Sequence, residues 1–95
     1  MLIHVVCFKY KTNISPATRA LHRDQLAALQ SLDGVIDLKV GEDVVRSPRS
    51  YDTALVITFP DRAALDVYQK NQQHVPIAQF GASLADHIVA VDFEI

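Results

Sequence analysis

Leu2-Ile3-His4-Val5-Val6-Cys7-Phe8-Lys9-Tyr10 decides the fold. β-Branched and aromatic residues dominate the stretch, so it reads as a strand. Strand alternation puts Leu2, His4, Val6, Phe8 and Tyr10 on one face, and Ile3, Val5, Cys7 and Lys9 on the other. Both faces are mostly apolar, so each needs a cover.

Downstream, Ser15 before Pro16 is a helix start, a hydroxyl cap with proline at the first helical position. Leu21, Ala28, Leu29 and Leu32 then recur at helical spacing until Gly34 stops the helix. From Val35 to Val45 apolar residues alternate imperfectly, with a bulge or bend expected at Gly41. Arg46-Ser47-Pro48-Arg49-Ser50 supplies a turn into a third strand, Tyr51 to Phe59, with Thr53, Leu55, Ile57 and Phe59 on one face. Asp61 caps a second helix carrying Ala64, Leu65 and Tyr68. The polar run Asn71-Gln72-Gln73, with Pro76 after it, predicts a break before a last short helix through Leu84. His87 to Ile95 forms the final strand, again apolar on both faces.

The order βαββαβ predicts an α+β, ferredoxin-like subunit, a four-stranded sheet with its helices on one face. The other face would expose more apolar surface than the few hundred Å² that soluble monomers tolerate. The same face of a second copy is the simplest cover, so the chain is expected to form a homodimer in which two sheets pack face to face into a barrel-like sandwich.

Composition narrows the function. Ninety-five residues, 49% hydrophobic and 21% charged, with three glycines and four prolines, suit one globular domain over residues 1–95. A net charge of −2 with no basic stripe argues against nucleic acid as a partner. No apolar run approaches the ~18 residues of a membrane span, and the first residues lack a secretory pattern, so the expected location is cytoplasmic. Cys7 stands alone and reads as a small core hydrophobe. Four histidines without short ligand spacing make no metal site, and no glycine loop calls for a phosphate or dinucleotide cofactor. The serines lie in caps, turns or helices without nucleophile-elbow glycines. His22 on the first helix and His87 on the last strand read as solvent-facing or edge residues. Glu42 and Asp43 read as solvated bend residues, and Arg46 with Arg49 as a charged hairpin tip.

Three residues remain for chemistry. Positions six apart on an unbroken helix diverge by about 240°, so Tyr68 and His74 meet only across the expected break. A converging imidazole, with a reference pKa near ~6.5, could take a proton beside a carbonyl while the phenol bonds the enolate oxygen. The plainer alternative has Tyr68 capping the core with its hydroxyl at the surface and His74 capping a helix start. His4 is likewise either a satisfied core histidine or a pocket residue, since burying it unpaired costs roughly 1–3 kcal/mol. Asp92, in an apolar strand, shares parity with Ile88 and Ala90 and should face the helices, with Lys9, Lys11 or a backbone donor as partner.

His4-Val5-Val6-Cys7-Phe8-Lys9-Tyr10-Lys11, Gly34-Val35, Gly41, Tyr51-Asp52, Tyr68 with His74, and Val91-Asp92-Phe93 together resemble the stress-responsive dimeric α/β-barrel (Dabb) family. The resemblance runs the whole length. It implies a subunit that dimerises through its sheet and holds a pocket between sheet and helices. One branch is the plant polyketide cyclases, where a tyrosine and histidine spaced like Tyr68 and His74 act on a poly-keto chain and the histidine matching His4 lines the pocket. This chain departs from the pattern in having Asn71-Gln72-Gln73-His74 where the family often has His-Pro-x-His. It also has Thr53 where the cyclases place a histidine.

The expected pocket is lined by His4, Val6, Phe8, Thr53, Leu55 and Ile77, with Tyr68 and His74 as its reactive pair. The leading expectation is a domain that binds a small apolar or carbonyl-containing molecule. The rival is a cofactor-free cyclase or isomerase with His74 as base and Tyr68 as oxyanion donor. A monooxygenase on the same fold is a third class, by fold analogy alone.

Overall fold

The computed structural model describes all 95 residues. Strand β1 (Leu2–Tyr10) leads into helix α1 (Pro16–Ala28), which tightens into a 3-10 turn at Leu29–Ser31. Strands β2 (Asp37–Glu42) and β3 (Thr53–Phe59) follow, then α2 (Arg62–Lys70), α3 (His74–Leu84) and β4 (Ala85–Glu94). The four strands form one antiparallel sheet in the order β2-β3-β1-β4. This is the expected ferredoxin-like α+β arrangement. No helix is long and apolar enough to cross a membrane.

The helix starts follow from their caps. The Ser15 hydroxyl accepts from the Thr18 N–H at 3.1 Å, and the Asp61 carboxylate accepts from the Ala64 N–H at 2.9 Å. Gly34 leaves the first helical segment at φ +87°, in the left-handed region that glycine enters without strain. After α2, Asn71 turns extended and its side-chain oxygen accepts from the Gln73 N–H at 2.7 Å, which makes the expected break.

The core lies where the β1 alternation places it. Leu2, His4, Val6, Phe8 and Tyr10 are buried under the helices beside Leu55, Ile57 and Phe59 of β3 and Leu65 and Tyr68 of α2. The opposite face is bare. Register puts Ile3 beside Phe93, Val5 beside Val91 and Cys7 beside Val89, and all three β4 residues are exposed.

Several boundaries and placements differ from expectation. Strand β2 ends at Glu42 and pairs without interruption through Gly41, while Val44 and Val45 stand exposed in the loop. The register shift falls at Lys9/Tyr10 instead. Strand β3 begins at Thr53, and the preceding Asp52 keeps backbone bonds to Phe8 and Asp43 while adding side-chain ones. Its Oδ2 accepts from the Tyr10 N–H at 2.8 Å and its Oδ1 from Arg46 Nη2 at 2.8 Å. Arg46 is thus a clamp and not a free hairpin tip, and Glu42 pairs with Arg23 at 2.9 Å instead of standing solvated alone. Cys7 is half-buried on the bare face, outside the core, as its parity with Ile3 and Val5 requires. On α1 the buried positions are His22 and Leu26, continued by Leu29 and Leu32, while Leu21 is half exposed. His22 therefore occupies the inward face and not the solvent face.

Candidate functional site

A cavity of about 140 Å³ lies between sheet and helices. Its walls are His4, Val6 and Phe8 from β1, Leu55 from β3, Tyr68 from α2, His74, Ile77 and Ala78 from α3, His22 and Leu26 from α1, and Ile88 from β4. Of the residues expected there, all but Thr53 are present. Thr53 is buried elsewhere, its hydroxyl accepting from Tyr10 Oη at 3.0 Å and from Arg23 Nη1 at 3.4 Å.

The break between α2 and α3 brings Tyr68 and His74 together, with ring centroids 4.3 Å apart and planes inclined by 39°. The His4 ring lies 6.2 Å from Tyr68 in an edge-on arrangement, and Phe59 closes the far side of Tyr68 at 5.1 Å. Tyr68 is 1% exposed and its hydroxyl has no hydrogen-bond partner, which removes the alternative of a surface hydroxyl. Burial pushes the Tyr68 phenol well above its ordinary range, so it stays a neutral donor.

His74 is the first residue of α3 and caps nothing. Its Nδ1–H donates to the Gln69 carbonyl at 3.3 Å, leaving Nε2 with a free lone pair. Burial lowers the His74 pKa, the Gln69 bond opposes this, and the nearby His4 imidazole adds to the lowering. His74 is therefore held as neutral imidazole near neutral pH.

His4 has a partner that residue type alone did not identify. Register sets His4 directly opposite Asp92, and the His4 Nδ1–H donates to Asp92 Oδ1. Asp92 does face the helices, but neither lysine reaches it. Lys9 donates to the Ser50 carbonyl and Lys11 to the Ser83 carbonyl. A carboxylate on Nδ1 fixes the ring and its tautomer, leaving Nε2 free on a residue of the cavity wall.

The chain so folded matches a known group of proteins. Residues 2–95 match the Stress responsive A/B Barrel Domain (Dabb) family. The chain belongs to that family. Solved structures of the same fold include a dimeric ferredoxin-like protein of unknown function from Thermobifida fusca, at TM-score 0.90 and 20% identity over 99% of this chain and 90% of that one. A Dabb family protein from Mesorhizobium loti aligns at TM-score 0.82 and 20% identity, over 99% and 95% of the two chains. The hydroxynitrile lyase from Passiflora edulis aligns at TM-score 0.88 and 20% identity, over 99% and 92%. No curated protein matches in sequence. At such identities the likeness shows the fold alone.

Within this Dabb domain, sequence reasoning missed four wall residues, Leu26, Ala78, Ile88 and, alone among them in being polar, His22. It is wholly buried, edge-on to Phe8 at 4.8 Å and to Phe80 at 6.0 Å between ring centroids. Its Nδ1 bonds the Tyr10 hydroxyl at 2.7 Å. Burial lowers its pKa, and the charge of Arg23 adds to this. One signal could have found it. Counting back four residues from Leu26 and seven from Leu29 puts His22 on the same helical face.

Proposed function

We propose that the chain is one protomer of a homodimeric Dabb domain that binds a small carbonyl compound in this cavity and moves a proton on it. The observation that carries the reading is the Tyr68 hydroxyl, buried without a partner beside two imidazoles. An orphaned buried donor costs about 1–3 kcal/mol, which a ligand oxygen would relieve. In the reaction, an imidazole takes the proton from the carbon beside the carbonyl, and Tyr68 donates to the developing enolate oxygen.

His4 is the better placed base. Asp92 orients its ring and stabilises the imidazolium as it forms, the role a carboxylate plays behind a catalytic histidine. His74 is neutral with Nε2 free, but the imidazolium it would become has no carboxylate beside it. On this reading His74 packs on Tyr68 and positions its ring.

Size chooses among substrates. A cavity near 150 Å³ takes up a molecule of about benzene's size. The 140 Å³ here suits a single ring or a short branched chain, and an extended poly-keto chain exceeds it. Cyanohydrin cleavage, the reaction named for the Passiflora edulis protein, likewise needs a base in a small pocket, although it takes an oxygen-bound proton. A base takes the hydroxyl proton, the carbon–carbon bond to the nitrile breaks, cyanide leaves and a carbonyl remains.

Deuterium exchange at the α-carbon of cyclohexanone, followed by NMR, tests the reading. Exchange above the buffer rate is expected, falling about a hundredfold in Asp92→Asn and in His4→Ala. Cyclohexanone that binds yet exchanges at the buffer rate would leave a binding domain without this chemistry.

A further inference from the structure

The cavity has one open side. Its walls from β1, β3, α1 and α2 are all buried, His74 and Ile77 of α3 are half-buried, and only Ala78 of α3 and Ile88 of β4 are exposed. Ile88 keeps 44% of its surface in solvent although it lines the cavity. The mouth therefore lies between α3 and β4, on the helix side of the sheet. It stands away from the reacting groups. Register sets Asp92 opposite His4 and Ile88 opposite Phe8, so Ile88 is four residues, or about 13 Å, along the sheet from the His4 end. On α3, Ala78 likewise stands one helical turn beyond His74, which packs on Tyr68.

The rim is apolar. From His74 to Leu84, α3 carries no Asp, Glu, Lys or Arg. Ala82, one turn beyond Ala78, and Ala90, the next helix-facing residue of β4, are exposed as well. We propose that Ala78 and Ile88 are the specificity-determining residues of the cavity: the substrate is a ring ketone with an uncharged, apolar substituent on the side away from its carbonyl, and the substituent passes out between them. The inference rests on the cavity reading above and narrows its substrate class. With the carbonyl held at Tyr68, the mouth alone offers room beyond the ring, since the other walls are closed. A charged substituent would lose hydration against the rim and meet no counter-charge there.

Calorimetric titration with cyclohexanone and 4-tert-butylcyclohexanone tests it. The wild type should bind the substituted ketone about tenfold more tightly, because its added carbons lie half-covered at the rim. In Ala78→Phe, whose ring would fill the gap, that preference should be lost or reversed. Should the variant fold poorly, methyl NMR on the wild type decides. The tert-butyl compound should move the Ala78 and Ile88 methyl signals more than cyclohexanone does, while the two ketones move the buried Leu55 methyls alike. A wild type that gains nothing from the substituent, a preference undiminished in a folded Ala78→Phe, or signals that move at Val91 of the bare face instead, overturns the inference and leaves the proposed function standing. Binding of neither ketone overturns both.

Discussion

Tyr68 and His74 stand six residues apart in the chain, yet their rings lie 4.3 Å apart, centroid to centroid. An unbroken helix would turn them about 240° from each other. The contact exists because Asn71 leaves the helix and α3 restarts at His74, so three polar residues between two helices assemble the site. The same packing buries the Tyr68 hydroxyl without a partner, which costs stability.

Removing the hydroxyl should therefore stabilise the protein while removing its function. Tyr68→Phe deletes a buried donor that pairs with nothing and keeps the ring that packs on Phe59 and His74. The denaturation midpoint should rise by the equivalent of about 1 kcal/mol, while cyclohexanone exchange falls to the level of the buffer. Urea titration and the exchange assay on the same sample check it. A destabilised Tyr68→Phe would mean that the hydroxyl is satisfied in solution.

The pH dependence of stability follows from the two buried imidazoles. Burial lowers the pKa of both His22 and His74 in the folded chain below the ordinary 6.5. As pH falls below 6.5 the unfolded chain takes up these protons first, so it binds more protons than the native state and is favoured. Their contribution is complete above pH 6.5 and is lost as pH falls from there through the lowered folded pKa values. His22→Phe should flatten part of this fall. At the alkaline end, burial raises Tyr10 and Tyr68, so stability should decline again as pH rises above 10. Denaturant midpoints from pH 4.5 to 11 would show both limbs.

Asp52 is expected to be the most damaging single loss outside the apolar core. Burial would raise its pKa, but the bonds from Arg46 and from the Tyr10 N–H win and hold it below the ordinary carboxylate range. It is 5% exposed and joins β1 to the β2–β3 loop, where Arg46 sits at φ 55°, a strained angle that its pairing helps to hold. Asp52→Ala leaves the Tyr10 N–H without an acceptor, and a loss of about 2–4 kcal/mol is expected. Asp52→Asn, which keeps an acceptor, should lose less. Thermal and urea unfolding of both variants measure the difference.

Much of this architecture was legible in residue order, and the exceptions share a cause. Alternation in β1 placed His4 with Val6 and Phe8, and the Ser15 and Asp61 caps fixed two helix starts, because these are local effects. The inward turn of His22 was hidden because histidine counts as polar in a helical period, so the face was drawn through Leu21. The pairing of His4 with Asp92, 88 residues apart, depends on β1–β4 register, which residue type alone does not set. Asp52 was passed over for the same reason, since its partners lie on β1 and in a turn. Strand membership alone suggests a core place for Cys7, whereas its parity with Ile3 and Val5 puts it on the bare face.

That bare face yields the last expectation. Val89, Val91 and Phe93 are 49%, 63% and 45% exposed in one protomer, and they continue across the sheet into Ile3, Val5 and Cys7. Covering three such half-exposed side chains contributes roughly 2–5 kcal/mol per protomer before the cost of association, enough to favour a dimer at micromolar concentration once the partner's copies and the neighbouring strands add theirs. A lysine in the middle of that face must either be buried unpaired or keep the sheets apart. Val91→Lys should therefore shift the sedimentation mass from two chains towards one, whereas Val67→Lys, an equally exposed substitution on α2, should leave it at two. If the wild type sediments as a single chain at high micromolar concentration, the face is covered by something other than its own copy. The helix-side cavity is lined from within one protomer, so its walls should survive in the Val91→Lys monomer wherever that chain remains folded. Cyclohexanone titration of the monomer would show whether the binding site needs the second copy at all.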